Sequence, residues 1–167
     1  HPPMQGVERG EVAVRINQLT GDSAEMREGA VLVIPGLHEL RRFSLRDQVY
    51  RPEAGQDAPF QSIEGLSLGV DVTVRYALDP ARIAAVARNL PDDIGHQVVE
   101  PAVQGVLYKT FSRYTVREIF SAKRQEIRDS IEAEVRTALD RDGIRLQAVL
   151  IGRVDLPDDY RAGMDRM

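Results

Sequence analysis

The segment from Leu66 to Tyr76 constrains this chain more than any other. Its even positions, Leu66, Leu68, Val70, Val72, Val74 and Tyr76, are apolar or aromatic, while Ser67, Gly69, Asp71, Thr73 and Arg75 fill the odd ones. Successive side chains of a strand point to opposite faces, so the pattern predicts one buried face and one wet face. That alternation belongs to an antiparallel or one-side-covered sheet, because a parallel strand buried on both faces reads as a continuous apolar run. Asp79 and Pro80 follow and predict a helix start, aspartate accepting from orphan amides and proline sitting where its missing N–H costs nothing.

The residues before this strand read as strands and turns. Glu11 to Ile16 alternates Val12, Val14 and Ile16 with Glu11, Ala13 and Arg15, a second half-buried strand. Val31 to Ile34 is expected as a short buried run stopped by Pro35 and Gly36. Phe43 to Tyr50 is extended, and Arg51 to Pro59, with two prolines, a glycine and two acids, is an exposed loop. After Pro80 the pattern turns helical. Ile83, Val86, Ala87 and Leu90 share one side of a short helix; a second, from about Asp92 to Phe111, carries Pro101 and is expected to kink or break beside Glu100. Thr115 and Glu118 form a capping box. The longest helix, about Ala122 to Asp142 with Ser121 as cap, points Ile127, Ile131, Val135, Ala138 and Leu139 inward, and Gly143 ends it. A final strand places Ile144, Leu146, Ala148, Leu150 and Val154 on one face. The sum is an α+β domain: a curved, mostly antiparallel sheet with helices packed on one face, a long helix near the C-terminus and a final strand.

Composition narrows the chemistry. The chain has 167 residues, 43% apolar and 29% charged, with a net charge of −4. Those values fit one soluble globular domain and lack the basic excess of a nucleic-acid binder, so no nucleic acid is expected as a partner. Without cysteine, thiolate metal sites, disulfides and cysteine nucleophiles are excluded. The longest apolar stretch, Ala30 to Leu37, is far short of the roughly 20 residues of a membrane-spanning helix. His1, His38 and His96 lie far apart with no metal-binding spacing, and His38 reads as a turn residue bonded to backbone or solvent. No strained Gly-x-Ser-x-Gly turn or phosphate-binding glycine loop is present. No catalytic, metal-binding or cofactor-binding residue is therefore assigned. Two surfaces remain. Phe60 and Ile63 in the proline-rich loop, with Arg41 and Arg42, are candidate partner or membrane contacts; for Phe60 the alternative is a ring tucked back onto the sheet. Arg124, Arg128, Glu132 and Arg136 on the longest helix are candidate oligomer contacts.

Several blocks, in this order, resemble the stomatin/prohibitin/flotillin/HflKC family, the SPFH or band 7 domain. They are Gly29 to His38, Glu64 to Tyr76 with Asp79-Pro80, Glu100 to Val103, Arg113 to Ser121, Arg124 to Arg128, Gly143-Ile144 and Asp155 to Pro157. The central strand favours the prohibitin-like branch. Glu39 to Arg41 depart from the pattern where the family often turns again through a proline. The resemblance implies a domain over residues 7–160, with residues 1–6 a tag or linker remnant and 161–167 the start of a further segment. It also implies a non-enzymatic, membrane-associated scaffold that forms large assemblies with itself or a paralogue, held by an N-terminal anchor outside this soluble excerpt. The alternatives are a regulatory module acting on an FtsH-type membrane protease through the Arg51 to Ile63 loop, and a serine hydrolase of the kind claimed around some relatives.

Overall fold

A computed structural model describes residues 4–52 and 60–156. Its centre is β8, Ser67–Leu78. Leu68, Val72, Val74, Tyr76 and Leu78 are all buried, as the alternation requires. β8 pairs antiparallel with β9, Ile144–Asp155, from Gly69 to Leu78. Opposite β9, the short strand β6, Gln48–Tyr50, pairs with Val74 to Tyr76, and β7, Phe60–Gln61, pairs with Ser67 and Leu68. A second antiparallel sheet orders β3, Ser23–Met26, then β2, Glu11–Asn17, then β5, His38–Ser44. A third is the pair β1, Met4–Val7, with β4, Gly29–Leu32. The architecture is α+β with open antiparallel sheets.

The helices run between β8 and β9. Asp79 caps a 3-10 turn, Pro80–Arg82, by accepting from the Ala81 amide at 3.0 Å, and α1, Ile83–Asn89, continues it. The break expected beside Glu100 takes the form of a change of helix type. The Pro101 ring cannot accept an ordinary helical turn before it, and the chain widens into a π turn, Gly95–Val99, whose last bond runs from the Glu100 amide to the Gly95 carbonyl. α2, Glu100–Phe111, then begins with the proline in its first turn. α3, Val116–Ile119, carries the full capping box of Thr115 and Glu118. α4, Arg124–Asp140, is slightly shorter than expected, with the Ser121 hydroxyl accepting from the Lys123 amide just before it. Ile127, Ile131, Val135 and Leu139 of α4 join Val103, Leu107 and Phe111 of α2 in one core over β8 and β9.

Three expectations change in the first sheet layer. Ala13, read as solvent-facing, is fully buried, because β1 and β4 cover that face of β2 with Val7, Val31 and Val33. Val31 to Ile34 is not a fully buried run: Val31 and Val33 point into this small core, while Leu32 and Ile34 are exposed. Met4 to Gly6, assigned to a linker remnant, belong to β1 and pair with Ala30 to Leu32. Residues 1–3, 53–59 and 157–167 lie outside the described residues, and with them most of the expected loop and the C-terminal boundary.

One carboxylate ties the ends of the helical excursion together. Asp79 caps the 3-10 turn and also receives Arg82 at 3.0 Å and Arg145 of β9 at 3.1 Å, while Arg82 reaches Asp140 at the end of α4 at 2.8 Å. The Ala81 amide first, then these guanidinium groups, hold the Asp79 carboxyl below its ordinary value of 3.8. A depressed carboxyl stabilises the fold above its unfolded pKa and loses that contribution as pH falls through its folded one. The urea midpoint is therefore expected to drop between about pH 5 and about pH 3, and to drop less over that window in Asp79→Asn. Gly143, at φ +79°, supports the same junction; an added Cβ would lie 2.9 Å from Val86 Cγ2. Gly143→Ala should cost about 1–3 kcal/mol in the same unfolding measurement.

Candidate functional site

Among the described residues, the outer side of β9 is an open strand edge. The ladder with β8 is regular except for two shifts, one between Arg75 and Tyr76 and one between Val70 and Val72. At the first, Gln147 is an extra residue. It reverses the strand's parity, so Val149 and Ile151 stand opposite Val74 and Val72 on the inner face, while Leu150 stands opposite Thr73 on the outer one. Leu150, expected inward by strict alternation, is 65% exposed. Among the described residues, β9 pairs with β8 alone. Between its C-terminal half and α4 lies an apolar cleft lined by Phe111, Phe120, Arg124, Ile127, Ile151 and Val154 among others. Phe120 is 46% exposed at its mouth.

The four α4 candidates divide into different roles. Arg128 Nη2 donates to the Ile151 carbonyl of β9 at 3.1 Å, and its Nε is buried with no partner. Arg124 lines the cleft beside it. Glu132 and Arg136 form an i, i+4 pair at 3.0 Å farther along. α4 and β9 thus make one continuous surface of mixed charge with an open strand edge. Sequence spacing carries no sign of the Arg128 contact, because it joins residues 23 positions apart on different elements.

The loop and β5 candidates are largely internal. Phe60 is a correction: it is buried in the core, opposite Leu68 in the ladder and 6.5 Å ring to ring from Phe111. The short strand β7 carries it there, so it is not a surface anchor. Ile63, two residues past β7, is 60% exposed. Arg41 lies under the end of α1, with Nη1 donating to the Ala87 and Leu90 carbonyls, Nη2 reaching Asp92 at 2.8 Å, and the guanidinium 4.9 Å over the Phe43 ring. Those carbonyls have no helical partner, and the cation complements the negative end of the helix. Arg42 ties β5 to β1 and β2 through the Gly6 carbonyl, Gln5 and Glu11.

A polar cleft opens between β5 and the π turn, with Arg42, Ser44, Gln48, Tyr76, Asp92 and Asp93 on its walls. Its ionisable groups are tuned by packing. Burial first, then the Asp93 charge, raises the Tyr76 phenol; the His96 backbone amide first, then its ring, lowers Asp93. Nearby Tyr50 is buried and meets the His96 ring edge-on at 6.2 Å; burial first, and then the Glu100 carboxylate beside its hydroxyl, push the phenol far up. Two serines are engaged in turns: Ser44 Oγ accepts from the Arg46 amide and Ser62 Oγ from the Leu66 amide. His38 Nδ1 accepts from the Ile34 amide, closing the Pro-Gly turn. No group of three potential metal ligands occurs among the described residues.

Fold and surface together define an α+β domain whose distinctive feature is an open strand edge beside a charged helix. The chain belongs to the SPFH domain / Band 7 family, whose model matches residues 6–167. That match bears out the resemblance carried by the Gly29 to His38 and Glu64 to Tyr76 blocks. No curated protein matches the chain. The placement of Phe60 sets an expectation: Phe60→Ala should lower the unfolding free energy by about 3–5 kcal/mol in urea titrations. Ile63→Ala, on the surface, should stay within about 0.5 kcal/mol of the wild type.

Proposed function

We propose that this chain is the lateral-contact domain of a non-enzymatic scaffold that assembles on a membrane, in its prohibitin-like form. The family it belongs to is one of membrane-associated, scaffold-type proteins and is generally non-enzymatic. No described helix is long and apolar enough to cross a membrane, so in this reading the tether lies in another segment. The observation that carries the reading is the open edge of β9, twelve residues long, next to the mixed-sign surface of α4. Contacts of this kind are weak one at a time, since exposed ion pairs contribute about 0–1 kcal/mol each. Tethering raises the effective concentration of neighbouring copies and turns weak contacts into a stable array. The partners are copies of this chain or of a paralogue.

Sedimentation velocity tests the proposal. The 167-residue chain alone should run as a monomer or a weakly associating species. The native membrane-bound protein, extracted in mild detergent, should run as particles many times its chain mass. A monomeric native protein overturns the scaffold reading.

A further inference from the structure

Among the described residues β9, a strand of twelve residues, pairs only with β8, and an open edge on a strand of that length is a template for another strand. Among the described residues, the other open edges are those of strands of two to seven residues and the short stretch Gly69 to Thr73 of β8 between β7 and β6. Length therefore selects a second β9 as the partner able to cover the whole edge. Resting on the scaffold reading and specifying one contact within it, we infer that two copies pair β9 with β9, antiparallel, about a two-fold axis through Leu150.

The strand is self-complementary in that register. Leu150 meets the second copy's Leu150, Val149 meets its Ile151, Leu146 its Val154 and Arg145 its Asp155. The faces agree, because Leu146, Val149, Ile151 and Val154 stand opposite Tyr76, Val74, Val72 and Val70 on the helix-covered side, while Leu150 stands opposite Thr73 on the other. The two ladder irregularities, at Gln147 and at Gly152 with Arg153, fall on either side of Leu150 and so oppose each other across the axis. Opposite charges meet at the strand ends, where Arg145 keeps Asp79 and Asp155 keeps Arg153 as neighbours in their own chain.

Other registers conflict. A slip of one residue sets Leu146 against Arg153 or against Asp155, mixing inward and outward side chains. Moving the axis to Val149 sets Arg145 against Arg153, like charges directly opposed. The chosen register continues the sheet from one copy to the next with α4 of both on the same face. It also covers exposed Leu150 and brings the second copy's Val149 and Leu146 beside Ile151 and Val154, which line the apolar cleft. Arg128 already holds the Ile151 carbonyl, so pairing competes with that bond and is weak between untethered copies.

The absence of cysteine makes the test direct. Residues opposite each other in an antiparallel pair have Cα atoms about 4.5–5.5 Å apart, within the range of about 4.4–6.8 Å that a disulfide spans. Leu150→Cys is therefore expected to form covalent dimers on mild oxidation of the concentrated 167-residue chain. Two controls fix register and collision rate. Ala148→Cys lies four residues, about 14 Å, from its counterpart in this register, and Leu19→Cys is an exposed site, at 84%, on a distant turn. Leu150→Cys should cross-link at least about tenfold faster than either control, reflecting the effective concentration of a formed pair. Equal rates for the three, or fastest linkage through Ala148→Cys, overturn the inference. If Leu150→Cys links selectively while the native protein sediments as no more than a dimer, the scaffold reading fails and the strand pairing stands. Large native particles without selective linkage leave the scaffold and remove this contact.

Discussion

The antiparallel ladder between β8 and β9 joins two segments separated by all four helices. Leu78 pairs with Ile144, and the Asp79 amide donates to the Gly143 carbonyl at 2.9 Å, so the entire helical excursion is closed at its base. Closing a loop of that size costs conformational entropy. The cost is offset where the ladder and the packed helices share one apolar layer, Val72, Val74 and Tyr76 below and Ile131, Val135 and Leu107 above. The ion network of Asp79, Arg82, Arg145 and Asp140 sits at the same junction and links β9, the first turn after β8 and the end of α4. Without the ladder, α4 has no sheet to bury its stripe against.

The same ladder explains the unusual surface. A strand long enough to pair with Gly69 to Leu78 of β8 has an outer edge of similar length. The extra residue at Gln147 then turns Leu150 outward and keeps Val149 and Ile151 inward, placing a large apolar side chain on the solvent side of an otherwise amphipathic strand. Arg128 covers one carbonyl of that edge, a partial plug of the kind proteins use to restrain open strands.

The arginine-rich composition has a structural use in this fold. Arg41 and Arg42 are neighbours on β5, and strand geometry sends them to opposite faces. One reaches the carbonyl end of α1 and the other fastens β1 and β2. Planar, permanently charged guanidinium groups suit such multidentate contacts to backbone carbonyls and carboxylates. Residues that look like a basic surface run in sequence are therefore cross-links between layers.

Local chemistry was legible from the sequence alone. The alternation of β8, the Asp79-Pro80 start, the capping box of Thr115 and Glu118, the inward stripe of α4 and the glycine at 143 all depend on residues within a turn or two of each other, and each stands where its pattern predicts. The family blocks were legible for the same reason, being ordered local segments. What only the tertiary structure decided depends on residues far apart in the chain. Ala13 is buried because β1 and β4 cover it, Phe60 because β7 docks beside Leu68, and Leu150 is exposed because a bulge against β8 reverses the parity of its strand. Periodicity records which side chains share a face; which face meets another layer, and where a register slips, is set by the strand opposite.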